Sequence, residues 1–453
     1  MNDITAFFAF LRYCLEYKGN MSKIVAGMDW LGLYSFASKQ ALLGLCFEGI
    51  ERLGKEYPEE LKRNPIGREL LMTWMGKAQQ IRRQNMKVNA VAGKLFSMLR
   101  EDGLRCCILK GQGNALMYPN PYSRTPGDID VWIDASRERI MEYAQKKFEL
   151  EDDIRLQHLE TSLDGVPVEL HFFPCSMNNP IYHARLQKWF KRNADLQCSH
   201  IVGLPDGAGD VAVPTTSFNV IYQLTHLYHH FFDEGIGMRQ IIDYFIVVND
   251  FSKNVFLNNK SSKITPSLFT LKEGSTSHPD PLSLRGEGGN RPTRCSEPLR
   301  SKDGGPSKVS PDCAGWDRLA IEEDNSAGST TAVTSSASTA LDVVQRELKY
   351  LELWKFAGAV MYVLKEVLGL AEDKMIAPMD EKRGRLLLAE ILDGGNFGRH
   401  FTKYAGFTHQ SMGKKYFLKI WRNMHFVRYY PAEALCEPLF RTWHFFWRLK
   451  YKK

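Results

Sequence analysis

Several patterns that assign a class of protein directly are missing from this 453-residue sequence. No apolar run approaches the roughly 20 residues that span a bilayer, so we predict no transmembrane segment. Residues 1–20 lack the basic stretch and the small-residue cleavage site of a secretory signal. The nine cysteines include no CxxC pair of the kind that binds metal. These absences predict a cytoplasmic protein with reduced cysteines.

An excess of positive charge is confined to the end of the chain. Residues 399–453 contain twelve Lys and Arg and two Glu, although the net charge of the whole chain is only +7. Aromatic residues alternate with these basic ones, most densely in residues 443–450. Such a tail is typical of a contact with nucleic-acid strands or with an anionic membrane surface. A third interpretation, which we favour, is a terminal amphipathic helix that packs its aromatic face on the body of the protein.

Five regions differ in hydrophobic pattern and composition. Apolar residues recur at helical spacing in residues 1–100, 206–251 and 341–453, whereas short strands are predicted in residues 101–205. Residues 252–340 are rich in Ser, Gly, Pro and Thr, and such a composition buries too little apolar surface to offset its ordering entropy. We therefore predict an α+β fold, with a small mixed β-sheet core, helical regions on both sides of it, and a disordered insertion.

Two aspartates that are one residue apart lie on a predicted strand of this core. Asp128 and Asp130 belong to a stretch that alternates polar and apolar residues, so their carboxylates point to the same face. Neighbouring carboxylates repel each other unless a cation lies between them, and oxygen ligands suit Mg²⁺. We expect the removal of one of these carboxylates to relieve repulsion in the metal-free protein.

A third carboxylate, Glu169, lies on a later strand. It points away from Val168 and Leu170, and pairing of its strand with that of Asp128 would bring three carboxylates together. Two metal ions about 3.5–4 Å apart at such a point can clamp an in-line phosphoryl displacement. The sequence therefore predicts a metal-dependent phosphoryl-transfer site in a cleft that solvent can reach.

These features resemble the DNA polymerase beta-like nucleotidyltransferase superfamily, which has a Gly-containing turn, an Asp-x-Asp strand and a third carboxylate. Within it, the sequence is similar to a bacterial branch, the uncharacterised nucleotidyltransferase family, over residues 1–250 and 341–453. The similar segments are Leu109-Lys110-Gly111, Arg124-x-x-x-Asp128-Ile129-Asp130, Glu169-Leu170-His171, His226-x-x-x-His230, and Gly237-x-Arg239 followed by Asp243.

The resemblance implies a nucleotidyltransferase that depends on Mg²⁺ and moves a nucleoside monophosphate from an NTP to an acceptor hydroxyl or phosphate. Asp128, Asp130 and Glu169 would bind two Mg²⁺ ions, and Glu169 would also accept the proton of the nucleophile. The acceptor, whether a small molecule or a macromolecule, is not identified by the sequence, and a nucleic acid is not favoured.

The nucleotide-binding residues that the resemblance implies are Lys110, Gly111 and Arg124. Fixed cations such as Lys110 and Arg124 would neutralise the triphosphate, and a helix predicted at residues 112–117 would point its N–H groups at a phosphate. The superfamily has a Gly-Ser pair where this sequence has Lys110-Gly111. Arg124 has an alternative role, as a structural partner of Asp128.

Further side chains are candidates for the substrate pocket. His171 shares the face of Glu169 and is interpreted as a hydrogen-bonded strand histidine or a contact to metal or nucleotide. His226, His229 and His230 fall at positions i, i+3 and i+4 of a predicted helix, a spacing that suits a transition metal, packing or a substrate contact. Arg239 is expected to form a structural ion pair with Asp243, four residues later.

Two other classes of function remain open. One is a non-catalytic nucleotide-binding or regulatory module, and the other is a nucleic-acid or membrane-associated adaptor that acts through the basic tail. The complete set of carboxylates favours an enzyme over both.

Overall fold

The computed structural model describes residues 3–16, 19–150, 155–261, 339–401 and 412–451. Most of the insertion predicted at residues 252–340 lies outside these described residues. The helices are α1 (Asp3–Cys14), α2 (Ser22–Ala26), α3 (Trp30–Lys39), α4 (Leu43–Glu56), α5 (Pro58–Arg63), α6 (Arg68–Glu101), α7 (Gln112–Ala115), α8 (Arg137–Lys147), α9 (Pro180–Ser199), α10 (Thr216–Asp233), α11 (Met238–Ser261), α12 (Ala340–Tyr350), α13 (Trp354–Leu368), α14 (Glu381–Gly394), α15 (Met412–Met424) and α16 (Pro431–Tyr451). The strands are β1 (Cys106–Leu109), β2 (Ile129–Ile133), β3 (His158–Leu163), β4 (Val166–His171), β5 (Ile201–Gly203) and β6 (Asp210–Ala212).

A four-stranded mixed sheet lies between helical regions at both ends of the chain, which confirms the predicted α+β class. The order of its strands is β1-β2-β4-β3. β2 runs antiparallel to β1 and parallel to β4, and β3 and β4 form an antiparallel hairpin. β4 therefore lies between β2 and β3, in the middle of the carboxylate-bearing part of the sheet.

Strand alternation separates the two faces of this sheet. Ile129, Val131 and Ile133 of β2 pack into one hydrophobic cluster with residues of α6 and α8. Trp132, which points the other way, joins a larger cluster that contains residues of α9 and α10. Asp130 shares the face of Trp132, so the polar site and α10 lie on the same side of the sheet.

Regular structure extends across two of the expected boundaries. The hairpin of β5 and β6 spans residues 201–212, so strand structure continues past the expected end of the core at residue 205. Helix α11 runs to Ser261, beyond the expected start of the insertion at residue 252.

The basic C-terminal region forms α15 and α16, which contact each other. Phe426 and Tyr430, at the connection between these helices, are buried against the body of the protein. The expected docking of the aromatic face is therefore present there but not along the whole tail, because other aromatic residues remain exposed. These exposed residues are Phe417, Trp421, Phe445 and Phe446.

Within the described residues, no helix combines the length and the apolar character that are needed to cross a membrane.

Candidate active site

Three carboxylates meet at neighbouring strands of the sheet. Asp130 of β2 lies in register with Glu169 of the parallel strand β4. Asp128 comes directly before β2, where alternation places it on the face of Asp130. One carboxylate oxygen of each residue lies within 4.8 Å of those of the other two. The cluster expected from the sequence is therefore present, and it lines a cleft of about 740 Å³.

The metal-free cluster is held together by cationic and hydrogen-bonding groups of the chain itself. Lys110 donates from Nζ to Oδ1 of Asp130 at 2.9 Å. His171 donates from Nε2 to Asp130 at 3.2 Å and to Glu169 at 3.0 Å. Asp130 is only 3% exposed, so these contacts replace the water that would otherwise solvate its charge. The expected repulsion is thus compensated within the protein.

The contacts within the cluster shift the pKa values of Lys110, His171 and Glu169. Burial alone would lower the pKa of Lys110, but Asp130, Asp128 and Glu169 together raise it above its usual value. Burial also disfavours the imidazolium of His171, yet hydrogen bonds to Asp130 and Glu169 raise the pKa of His171 to about 9. Burial would raise the pKa of Glu169, but His171 lowers it. At neutral pH Lys110 is therefore an ammonium and His171 an imidazolium, and both cations offset the negative charge of the neighbouring carboxylates.

A tight turn after β1 positions Lys110. Lys110 has φ +42°, and Gly111 has φ 53° and ψ −112°, a combination that residues with a Cβ atom avoid. Gly111 therefore permits the reversal that returns the Lys110 ammonium to the cluster. Helix α7, predicted as residues 112–117, is only four residues long, so its dipole has little effect on a phosphate.

His158 belongs to the site, although the sequence analysis did not identify it. It lies opposite His171 in the β3–β4 hairpin, and the centroids of the two rings are 4.9 Å apart. Its Nε2 is 3.5 Å from Oε1 of Glu169. The Asp164-Gly165 turn was a usable signal, because a hairpin closed by these two residues pairs position 158 with position 171.

Arg124 pairs with Asp243 rather than with Asp128. Its Nε and a terminal nitrogen each donate to the Asp243 carboxylate at 2.8 Å. Tyr118 donates its hydroxyl proton to the same carboxylate at 2.7 Å. All three side chains are buried. Arg124 therefore has a structural partner, as one of its two expected roles requires, but this partner is Asp243 and not Asp128.

The expected Arg239–Asp243 pair is also corrected. Asp243 is occupied by Arg124 and Tyr118, and Arg239 instead donates from a terminal nitrogen to the carbonyl oxygen of Thr125 at 3.1 Å. The Nε of Arg239 has no hydrogen-bond partner among the described residues. Burial and the neighbouring Arg124 charge lower the pKa of Arg239. Arg239 thus presents an under-compensated cation to the cleft that it lines.

The histidines of α10 surround Lys110. Lys110 donates to Nε2 of His226 at 2.8 Å, and Nε2 of His226 is 3.1 Å from Nε2 of His230. Burial lowers the pKa of both histidines, and the Lys110 charge adds to the effect. In the part of the chain that the structure describes, His226 and His230 belong to no group with metal-ligand geometry. In the structure His226 contacts Lys110 and His230, and both histidines line the cleft.

The fold and the site together define a class of protein. A small mixed sheet carries clustered carboxylates beside a cleft that is also lined by Lys110, Arg239 and Arg399. The oxygen donors suit a hard divalent ion, and the cations suit a polyphosphate. This combination is that of a nucleotidyltransferase.

The family comparison agrees with this class. The model of the uncharacterised nucleotidyltransferase family matches residues 26–264, which is more than half of the chain. The chain belongs to this family, and every site residue predicted from the sequence lies in the matched range. Comparisons with curated proteins and with solved structures found no significant match.

Proposed function

We propose that this chain transfers a nucleoside monophosphate from an NTP to an acceptor hydroxyl or phosphate, with Mg²⁺ as cofactor. The observation that supports this most directly is the approach of Asp128, Asp130 and Glu169 to within 4.8 Å in a member of a nucleotidyltransferase family. Carboxylates plus substrate phosphates are the usual ligands of Mg²⁺. Two such ions would neutralise phosphate charge and polarise the attacking and leaving oxygens.

Each carboxylate has a distinct role in this proposal. Asp128 and Asp130 hold the metal ions, and Glu169 binds one of them. Although burial opposes it, His171 keeps the pKa of Glu169 below its usual value. Glu169 is thus ionised at neutral pH and able to accept the proton of an acceptor hydroxyl.

Lys110 and Arg239 are the residues that we assign to the triphosphate. Lys110 is 19% exposed at its side chain and now contacts Asp130, so cation binding at Asp130 makes its ammonium available to a phosphate. Arg239 lines the same cleft with an Nε that lacks a partner among the described residues. A guanidinium binds phosphate oxygens in a fixed geometry.

Arg124 acts as a positioning residue in this scheme, which revises the phosphate contact expected from the sequence. Its guanidinium is committed to Asp243 through two hydrogen bonds of 2.8 Å. Asp243 lies on α11, one helical turn after Arg239. The Arg124–Asp243 pair therefore holds the helix that presents Arg239 to the cleft.

The test is a screen of the four ribonucleoside triphosphates with Mg²⁺, in which pyrophosphate release and transfer of an α-phosphate label are measured. Small-molecule and macromolecular fractions of a cell extract supply the acceptor. Asp128→Asn and Glu169→Gln should each abolish the label transfer. Asp164→Asn is the matched control, because Asp164 pairs with Lys94 at an exposed turn and lies outside the cluster.

The outcomes separate the alternatives. Stabilisation of the fold by Mg²⁺-NTP with no pyrophosphate release from any nucleotide would indicate a non-catalytic nucleotide-binding module. Neither stabilisation nor release would indicate that the carboxylates serve another purpose, and an adaptor acting through the basic tail would then be the better hypothesis.

A further inference from the structure

A second group of possible metal ligands adjoins the three carboxylates. His158, Glu169 and His171 offer two ring nitrogens and one oxygen that all lie within 4.8 Å of one another. The β3–β4 register places His158 opposite His171, and Glu169 shares the face of His171 because it lies two residues earlier on β4. Two histidines and a carboxylate are a common ligand set for transition metals.

His158 is the residue that distinguishes this group from an ordinary hydrogen-bond network. It is 8% exposed, and neither of its ring nitrogens has a hydrogen-bond partner among the described residues. Buried polar groups are normally paired, so an unpaired imidazole that faces Glu169 and His171 needs an explanation.

The neighbouring residues support the same geometry. Nε2 of Gln157 lies 3.3 Å from Nδ1 of His171, so Gln157 packs beside one edge of the ring while Nε2 of His171 faces the carboxylates. Glu169 directs Oε2 toward His171 and Oε1 toward His158, so one carboxylate faces both rings.

The surrounding charges permit a cation. Lys110 contacts Asp130 and Arg155 contacts Glu160, so each of these cations lies on a carboxylate outside the His158, Glu169 and His171 group. Glu160 is itself 3.7 Å from Nε2 of His158. Glu160 also lies opposite Glu169 in the β3–β4 hairpin, so a second carboxylate adjoins the His158, Glu169 and His171 group.

We propose that His158, Glu169 and His171 form a distinct binding site for a divalent transition-metal ion. Its nitrogen ligands select such an ion over Mg²⁺, which prefers oxygen. Glu169 is shared with Asp128 and Asp130, so it bridges a nitrogen-containing site and an oxygen-only site. The inference goes beyond the proposed function, because binding of this ion does not require nucleotidyl transfer.

Metal binding by the full chain provides the test, with Co²⁺ as the probe because its visible spectrum reports nitrogen ligation. After removal of metal ions, Co²⁺ and Mg²⁺ are titrated separately into the wild type and into variants by calorimetry and absorbance. His158→Gln should weaken Co²⁺ binding by at least about tenfold and change its spectrum. Asp128→Asn should weaken Mg²⁺ binding more strongly than Co²⁺ binding.

The matched control is His425→Gln. His425 is an exposed residue directly after α15, and its ring is hydrogen-bonded to the carbonyl oxygen of Trp421. This variant should bind Co²⁺ as the wild type does. Equal Co²⁺ affinity and spectra in the wild type and His158→Gln would overturn the proposal. So would Asp128→Asn reducing Co²⁺ affinity as much as His158→Gln does.

A measurement on the wild type alone covers the case in which His158→Gln does not fold. X-ray absorption of the Co²⁺-loaded chain should show two imidazole ligands, and an oxygen-only shell would refute the site. These results are independent of pyrophosphate release. A chain that binds Co²⁺ through His158 without transferring nucleotides would refute the proposed function and leave this inference intact.

Discussion

Asp130→Asn tests two roles of one carboxylate, because Asp130 is both a proposed Mg²⁺ ligand and the acceptor of internal hydrogen bonds. The sequence suggests that losing one of three neighbouring carboxylates relieves repulsion. The structure predicts the opposite for the metal-free protein. Asp130 is buried, and its carboxylate accepts hydrogen bonds from Lys110 at 2.9 Å and from His171 at 3.2 Å. Removal of its charge would leave both donors under-compensated.

The magnitude follows from what remains after the substitution. A hydrogen bond to a charged group contributes about 1.5–3 kcal/mol to stability. Asparagine keeps the shape and one acceptor oxygen, and Asp128 and Glu169 still act on the Lys110 charge. We therefore expect the free energy of unfolding of the metal-free protein to fall by about 2 kcal/mol, rather than by the full cost of an isolated buried charge.

Metal and nucleotide should reveal the second role. A ligand present at 100 times its dissociation constant stabilises the native state by about 2.7 kcal/mol, and Asp130→Asn should lose most of this gain from Mg²⁺-NTP. Metal ions contribute several kcal/mol to transition-state stabilisation, and each 1.36 kcal/mol is a factor of ten in rate. Transfer should therefore fall by about a thousandfold or more.

The assay pairs thermal or urea unfolding, with and without Mg²⁺-NTP, with pyrophosphate release. Wild type, Asp130→Asn and the turn control Asp164→Asn are measured under the same conditions. Metal-free stability of the mutant equal to or above that of the wild type would refute the stabilising role of the Lys110 and His171 contacts. Full retention of Mg²⁺-NTP stabilisation and activity would refute the metal role.

Three other substitutions test buried charged side chains, two at the cleft and one on α16. Arg124→Met leaves the Asp243 carboxylate buried without its bidentate partner, and urea unfolding should show a loss of about 3–5 kcal/mol; a loss below about 1 kcal/mol would contradict the positioning role. Arg239→Met should weaken Mg²⁺-NTP binding about tenfold, since a charge-assisted hydrogen bond contributes about 1.5–3 kcal/mol, and calorimetry showing unchanged affinity would exclude the phosphate contact. Burial raises the pKa of Glu433, on α16, from 4.5 to about 7. Between these two pH values the folded chain keeps a proton that the unfolded chain loses. The contribution of Glu433 to stability should therefore fall by about 3 kcal/mol as pH rises from 4.5 to about 7. The difference in unfolding free energy between the wild type and Glu433→Gln should change with pH by this amount. A difference that does not depend on pH would show that the pKa of Glu433 is not raised by folding.

The carboxylate cluster was predictable because it depends on local geometry. Alternation along β2 places Asp128 and Asp130 on one face whatever the rest of the chain does. Glu169 required one further assumption, that its strand pairs with β2, and the parallel register that joins Asp130 to Glu169 satisfies it. The position of His158 could have been predicted in the same way, because the two-residue turn at Asp164 and Gly165 sets the hairpin register that places His158 opposite His171.

Partners that lie far apart in the sequence were not predictable in this way. Arg124 and Asp243 are 119 positions apart, and Lys110 and His226 are 116 positions apart. These contacts depend on how α10 and α11 dock on the sheet, which no local pattern specifies. The spacing of Arg239 and Asp243 predicted a pair within one helix, but Asp243 is buried, where Arg124 and Tyr118 both bind it.

The Lys110-Gly111 pair, which stands where the superfamily that the sequence resembles has Gly-Ser, has a physical explanation in the structure. Gly111 supplies the backbone conformation of the turn, and the residue before it carries a cation back to Asp130. A Gly-Ser pair would offer a hydroxyl and an N–H group at this point but no positive charge. In this chain the ammonium satisfies the carboxylates before any metal ion binds, which lowers the cost of burying them. In the proposed mechanism a metal ion would displace Lys110 from Asp130, and the released ammonium would lie in the same cleft as Arg239. The proposal therefore couples metal binding to the exposure of a phosphate-binding cation through a single residue.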